Sequence, residues 1–227
     1  MKKYTIILIA SALAVLTVSC KKESAGVTRI TYYPTITLQG DNPAIIKVGD
    51  AFTDPGFTAV MNGEDISSSV TVTSSIDNTT PGIYTVKYST TNPDGIVASA
   101  SRSVYVVNPG GIANVYSSAC GFNVTPTYTG LPIVISETSD AGVYLIEDLC
   151  GGYYCYGRYP GYEPTYDFHA EGYFTVDASG NMTLVGAGDW FFRTSFNYSN
   201  FTGTWDSSTG VIDMDFDDML VKLTPFN

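Results

Sequence analysis

VTVTSSIDNTTPGIYTVKYSTTNPDGIVASASRSVYVV, running from Val70 to Val107, decides the fold class. Val70-Thr71-Val72-Thr73 and Tyr84-Thr85-Val86-Lys87-Tyr88 alternate, as does the run from Ala98 to Val106. A period of two sends successive side chains to opposite faces, so each run is a strand with one face in need of cover. Pro81-Gly82 and Asn92-Pro93-Asp94-Gly95 separate the runs as turns. Upstream, Thr35-Ile36-Thr37-Leu38 alternates in the same way. Further turns are marked by Gly40-Asp41-Asn42-Pro43, Asp54-Pro55-Gly56 and Asn62-Gly63. Short strands at this spacing predict a β-sandwich, because each apolar face must meet a second sheet.

The rest of the 227-residue chain carries the same signature. Thr, Ser, Tyr and Gly are abundant, and no Ala-, Leu-, Glu- and Lys-rich helical stretch occurs after the first twenty residues, so the chain is read as all-β. With 11 Lys plus Arg against 22 Asp plus Glu, the formal net charge is −11. An acidic surface without a basic stripe repels phosphate backbones, which excludes nucleic acid as a partner.

Residues 1–19 read as a signal peptide. Lys2 and Lys3 form its positive start, and Ile6 to Val18 form an apolar run too short for a comfortable membrane span. Leu16-Thr17-Val18-Ser19-Cys20 resembles a bacterial lipobox, with Thr17 where Leu is usual. The resemblance implies cleavage before an acylated Cys20, and hence a membrane partner through a lipid anchor at the outer membrane, facing the exterior. Residues 20–33 read as a tether.

Residues 34–108 form the first domain. VGDAFTDPGFTAVMNGEDISSSVTV, TTPGIYTVKYSTTNPDG and SRSVYVV together resemble the bacterial Ig-like domain first described in pesticidal crystal proteins. Those domains act as spacers and adhesion modules, so the resemblance carries over no catalytic residue. Asp54, Glu64, Asp65 and Asp77 are explained by turn chemistry rather than by a metal. Residues 109–111, Pro-Gly-Gly, read as a hinge.

Residues 112–227 form a second domain, predicted as an antiparallel β-sandwich or barrel-like fold. Leu131–Ile135 and Val143–Ile146 are strands. Gly172–Val176 pairs with Met182–Val185, Phe201–Trp205 pairs with Val211–Phe216, and Leu220–Thr224 closes the chain. Its pattern resembles the C-terminal β-domain of small Bacteroidetes surface lipoproteins. By association these are accessory proteins of the starch-utilisation type, which hold glycans beside an outer-membrane importer.

Between these strands lies GVYLIEDLCGGYYCYGRYPGYEPTYDFHAEGYF, Gly142 to Phe174, with eight of the seventeen tyrosines and the sole histidine, His169. Its glycines and prolines break regular structure, predicting a long loop or bulged strand pair. Tyr offers an apolar face and a wet hydroxyl, which suits a polar ligand. The expected contacts are Tyr153, Tyr154, Tyr156, Tyr159 and Tyr162, with Arg158, Glu163 and Asp167 as hydrogen-bonding groups and Trp190 as the nearest indole. The competing reading, that these rings pack the layer between sheets, stays open. Cys150 and Cys155 flank Gly151-Gly152 and are the preferred disulfide; Cys120 bonding to either, or three buried thiols, are the alternatives.

No HExxH, GxSxG, P-loop or dinucleotide fingerprint is present, and no cofactor or metal is called for. His169 reads as a loop histidine bonded to a carboxylate or backbone rather than a triad base. Glu147, Asp148, Glu163, Asp167 and Glu171 leave a two-carboxylate glycosidase as an outside reading. Asp213, Asp215 and Asp217 fall on one face of a strand, where charge blocks sheet-to-sheet association. The expectation is a non-catalytic surface lipoprotein that captures a neutral polysaccharide or oligosaccharide. A spacer or adhesion protein contacting a partner protein is the alternative.

Overall fold

A computed structural model describes residues 30–122, 125–162, 164–188, 190–191 and 200–226. The chain divides into two units, Met1–Tyr32 and Tyr33–Asn227. Of the first, residues 30–32 are described and carry no regular secondary structure. Among the described residues, the second holds every strand.

The Ig-like part is a sandwich of two sheets. One is formed by β1 (Thr35–Leu38), β3 (Phe57–Met61) and β4 (Glu64–Asp65). The other has the order β2 (Ala44–Lys47), β7 (Val97–Val107), β6 (Gly82–Thr91), β5 (Thr71–Ser74). The predicted turns do what their residues allow. Asn62 and Gly63 both take positive φ, 52° and 79°, the requirement of a two-residue hairpin loop. At the β6–β7 turn, the Asn92 Oδ1 accepts hydrogen bonds from the Asp94 and Ile96 amides. The core mixes residues of both sheets: Val86, Tyr88 and Val104 from one meet Ile36, Leu38 and Phe57 from the other.

A buried cation ties the two layers. Arg102 on β7 is wholly buried. Its Nη2 donates to the carbonyls of Gln39 (2.5 Å) and Gly56 (3.3 Å), and its Nη1 to that of Asp41. Its Nε lies 3.6 Å from the Asp54 carboxylate, which also accepts the Tyr88 hydroxyl at 2.7 Å. Asp54 is therefore a counter-ion and turn residue, its other bond coming from the Gly56 amide at 2.9 Å.

The link to the second part is a tight turn. The Gly111 amide donates to the Asn108 carbonyl, and the Asn108 amide to the buried Asn114 side chain. Tyr105, Val107 and Val115 cluster across the link with Val134 and Phe226.

The second part is a closed barrel of eight antiparallel strands: β8 (Asn114–Phe122), β9 (Tyr128–Glu137), β10 (Val143–Ile146), β11 (Gly172–Val176), β12 (Asn181–Ala187), β13 (Thr202–Trp205), β14 (Ile212–Phe216) and β15 (Met219–Pro225). Each strand pairs with the next, and β15 closes onto β8 from Met219↔Phe122 to Pro225↔Tyr116. Both predicted hairpins are present, with Val176 opposite Met182 and Trp205 opposite Ile212. Alternation fills the interior: Ile212, Met214 and Phe216 point in while Asp213 and Asp215 point out. Full closure removes the sheet edges that a sandwich would leave exposed.

The meander fixes which connections share an end. β9–β10, β11–β12 and β13–β14 turn at the end where the chain enters from the Ig-like part. β8–β9, β10–β11, β12–β13 and β14–β15 turn at the other, and the Tyr-rich stretch is the β10–β11 connection.

Replacing Arg102 by Leu should lower the stability of the Ig-like part by about 3–5 kcal/mol, because it strands Asp54 and three carbonyls without their shared donor. Urea unfolding followed by tyrosine fluorescence checks this. A loss below about 1 kcal/mol would mean that the cation is not the tie between the sheets.

Candidate functional site at the long-loop end of the barrel

The β10–β11 connection folds back as a plug, and a buried carboxylate holds it. Asp148 is fully buried. Its Oδ1 accepts the amides of Cys150 (3.0 Å) and Ala170 (3.1 Å). Its Oδ2 accepts the Gly152 amide (2.8 Å) and the Cys155 thiol (3.6 Å). One side chain thus joins the first residues of the loop to the last, and the Leu149 amide adds a 2.7 Å bond to the Ala170 carbonyl. Burial pushes the Asp148 carboxyl above the usual range, and the three backbone amides work against that rise.

Gly151 and Gly152 follow, with φ of 63° and 81°. A Cβ at Gly151 would lie 2.5 Å from Ser118 Oγ and 2.7 Å from Val221, so the plug reaches the barrel wall only because this residue has no side chain. Tyr153–Arg158 then forms a π-helical turn, with amides of Gly157 and Tyr159 bonded five residues back to the carbonyls of Gly152 and Tyr154.

This turn divides the expected ligand contacts in two. Tyr153, Tyr154 and Tyr156 are half-buried and packed on the barrel core. Tyr153 meets Phe122, Tyr128 and Tyr154 edge-on, with centroids 4.9–5.1 Å apart, and Tyr154 meets Trp190 at 5.1 Å. Trp190 is buried and donates its Nε1–H to the Phe168 carbonyl at 3.1 Å. For these four the packing reading holds, because winding at π pitch turns consecutive tyrosines onto the barrel instead of splaying them outward. Tyr156 reaches the loop's far side, where its hydroxyl lies 3.1 Å from His169 Nε2. The His169 Nδ1 lies 2.7 Å from Asp167 Oδ1, which also accepts the His169 amide at 2.9 Å. His169 is thus a clasp. Burial works to raise the Asp167 carboxyl, but the bonds from His169 hold it below the usual range.

The outward set is different. Phe168 is buried and, among the described residues, acts as a hub for four rings: Tyr159 at 5.2 Å, Tyr162 at 6.0 Å, Tyr166 at 6.3 Å and Phe191 at 5.0 Å. Tyr162, Tyr166 and Phe191 are 51%, 46% and 55% exposed. Arg158 is exposed, its guanidinium 5.7 Å from the centre of the Tyr159 ring. Tyr159, Tyr162, Arg158 and Asp167 are therefore brought together at one surface. Tyr166, Phe168 and Phe191 belong with them and were not singled out from the sequence. The spacing Tyr162, Tyr166, Phe168 inside one Gly/Pro-bounded loop was the available signal. Glu163 and Cys20 lie outside the described residues.

The cysteine expectation is corrected. Cys120, Cys150 and Cys155 are buried thiols, and no Cys150–Cys155 bridge is formed. The turn aims the Cys155 sulfur at Asp148 rather than at Cys150. Burial raises the Cys120 thiol to about 11 and drives Cys150 well above its ordinary value.

The carboxylates are mostly occupied. Asp148 is internal, Glu147 accepts the Val134 amide at 2.7 Å, and Asp167 holds His169. On the barrel wall, a trough of about 570 Å³ is lined in part by Asp213, Asp215, Thr202, Thr204 and Lys222. Its one aromatic ring, Phe201, packs on Phe216 in the core, so the trough offers no stacking face. Asp217 does not join Asp213 and Asp215, because it enters the β14–β15 turn at φ 48°. Inside the barrel, a cavity of about 50 Å³ beside Cys150, Tyr154 and Trp190 has room for a water and not for a sugar. The aromatic surface around Phe168 is the better candidate.

Residues 36–106 match the family model of the bacterial surface protein Ig-like domain, and residues 108–219 match that of a C-terminal domain. A lipoprotein from Bacteroides thetaiotaomicron of known structure is 27% identical, over 84% of this chain and 98% of that one, with a TM-score of 0.58. A Clostridium perfringens ZmpB structure, with a CBM51 domain in complex with GlcNAc, is 14% identical over 85% of this chain and 43% of that one. Its TM-score is 0.29, too low to carry an argument. No curated protein matches the chain. The chain thus carries a bacterial surface protein Ig-like domain followed by a second matched C-terminal domain, and it is similar over most of its length to a Bacteroides lipoprotein.

Asp148→Asn should lower barrel stability by about 2–4 kcal/mol, since either amide orientation sets an N–H₂ against backbone donors. The sign of the pH dependence follows from the raised carboxyl of Asp148. The stability tied to its protonated form is full below about pH 4 and is lost as pH rises through the folded value. The gap between wild type and Asp148→Asn should therefore narrow as pH rises from about 4. Parallel denaturation curves at each pH check this; a gap that widens with pH would reverse the assignment.

Proposed function

Taking the chain as a surface lipoprotein of this make-up, we propose that it is a non-catalytic glycan-capturing protein, gripping its ligand on the aromatic surface around Phe168. The observation that carries the reading is the exposure of Tyr162, Tyr166 and Phe191, rings that a soluble surface ordinarily covers, packed side by side on one buried ring. Sugar C–H faces stack on such rings, and hydroxyls bond to phenols and carboxylates at their rim. Arg158 and Asp167 provide that rim. Two or three ring contacts at about 1 kcal/mol each, with hydrogen bonds, give micromolar-to-millimolar affinity, sufficient for capture beside an importer.

Acylation of Cys20 anchors the chain at the outer membrane in this reading. The Ig-like part then serves as spacer, because the long-loop end lies one β8 length, roughly 30 Å, beyond the link. Cys20→Ala should move the protein from the membrane fraction to the soluble extract; retention in the membrane would place the anchor elsewhere.

Affinity electrophoresis against a panel of neutral polysaccharides tests the binding. Tyr162→Ala combined with Tyr166→Ala should abolish retardation while melting within about 4 °C of wild type. Tyr156→Ala should instead lower the melting temperature, as a ring packed on the core. If the intact protein is retarded by none of the polysaccharides, the same surface is a docking face for a partner protein.

A further inference from the structure

The angles between the rings of this surface narrow the class of glycan. Tyr159 and Tyr162 meet at 68°, Tyr162 and Tyr166 at 46°, and Tyr166 and Phe191 at 76°. A flat polysaccharide chain needs a row of nearly coplanar rings, so that successive sugars stack in turn. Here a chain lying on one ring meets its neighbour at a steep angle. Among the described rings only Tyr166 and Phe168 approach parallel, at 20°, and Phe168 is buried beneath the others.

Rings inclined to each other around a common hub make a faceted cradle. A cradle suits an object with several faces to offer and no chain continuing in both directions. The end of a glycan, or a branch tip, is such an object: one sugar presents its two faces and an extra free hydroxyl where the chain stops. Polar groups stand where those hydroxyls fall. Asp167 is on the loop beside Phe168, its side chain 77% exposed, and its Oδ2 takes neither of the bonds to His169. Arg158 stands over Tyr159, 5.7 Å from the ring centre. The cradle is also held rigid from below, through the Trp190–Phe168 bond and the Tyr156–His169–Asp167 chain. A preset shape of this kind favours a single well-shaped unit over an adaptable run.

We infer that the Phe168 cradle binds chain ends or branch tips of neutral glycans rather than internal, extended runs. The inference rests on the glycan reading above, and the experiment separates the two. Isothermal titration of the mature chain uses amylose, amylopectin and galactomannan, each intact and partly hydrolysed, with microcrystalline cellulose as a flat surface. Hydrolysis raises the number of ends at constant mass. For a polymer that binds, the mass concentration at half-saturation should fall in proportion, about tenfold for chains ten times shorter. Phe191→Ala should remove most of this gain by opening one wall of the cradle. A half-saturation that stays constant or rises on hydrolysis, or capture by cellulose, would overturn the end-binding inference while leaving glycan capture in place. Absence of binding to every probe, whole and hydrolysed, would overturn both.

Discussion

Asp148 is the constraint from which the functional end of the barrel follows. A carboxylate with no exposed surface is costly unless its lone pairs are filled, and here three backbone amides and a thiol fill them. Because those donors come from both ends of a loop more than twenty residues long, satisfying one charge closes the loop. Closing such a loop by weak contacts alone would carry the full entropy of a long connection. The carboxylate concentrates that closure at one buried point. The intervening residues are then free to take a conformation as unusual as a π-helical turn.

That turn accounts for the sorting of the aromatic rings. A strand would alternate Tyr153, Tyr154, Cys155 and Tyr156 between two faces, and an open loop would present them all. Wound at π pitch against the barrel mouth, they form an inner layer with Phe122, Tyr128 and Trp190 that seals the barrel. The outer layer is supplied by the less regular residues that follow, hung on Phe168. The two layers are connected by polar bonds: Trp190 to the Phe168 carbonyl, and Tyr156 to His169. The protein therefore uses the same residue type for a plug and for a display, and position relative to Asp148 decides which.

Much of the fold was legible because it rests on local signals. The alternation in Tyr84–Tyr88 and the turn chemistry of Asn62-Gly63 and Asn92–Gly95 act over a few residues, and the structure places strands and turns there. The two hairpins flanking 177–180 and 206–211 were likewise visible. The sequence left a sandwich and a barrel-like fold side by side, since the pairing of β15 with β8 that closes the barrel joins residues about a hundred positions apart and leaves no local trace. The site was half legible for the same reason. Tyr density marked the loop, but which rings turn inward depends on Gly151 meeting Ser118 and Val221, a contact set by the closed barrel. Nothing in the sequence singled out Arg102, and Asp148 stood only among several carboxylates near the tyrosines; the fold shows both as the buried ties of their domains.

These two buried charges also show how the parts divide their work. In the Ig-like part, Arg102 on β7 offers several donors to carbonyls at the edge of the other sheet, which no strand pairing joins to β7, so a cation serves there. In the barrel, the unpaired groups at the plug are amides, so an anion serves. Each charge has the sign that the surplus backbone groups require. At the Ig-like tie, neither carbonyls nor guanidinium would be displayed to a ligand; at the plug, the carboxylate is likewise spent on the backbone. Among the described residues, the groups left to meet solvent near Phe168 are phenols, the Phe191 ring, the Arg158 guanidinium and the outward edge of Asp167. Those groups suit the holding of a polyhydroxylated surface proposed above.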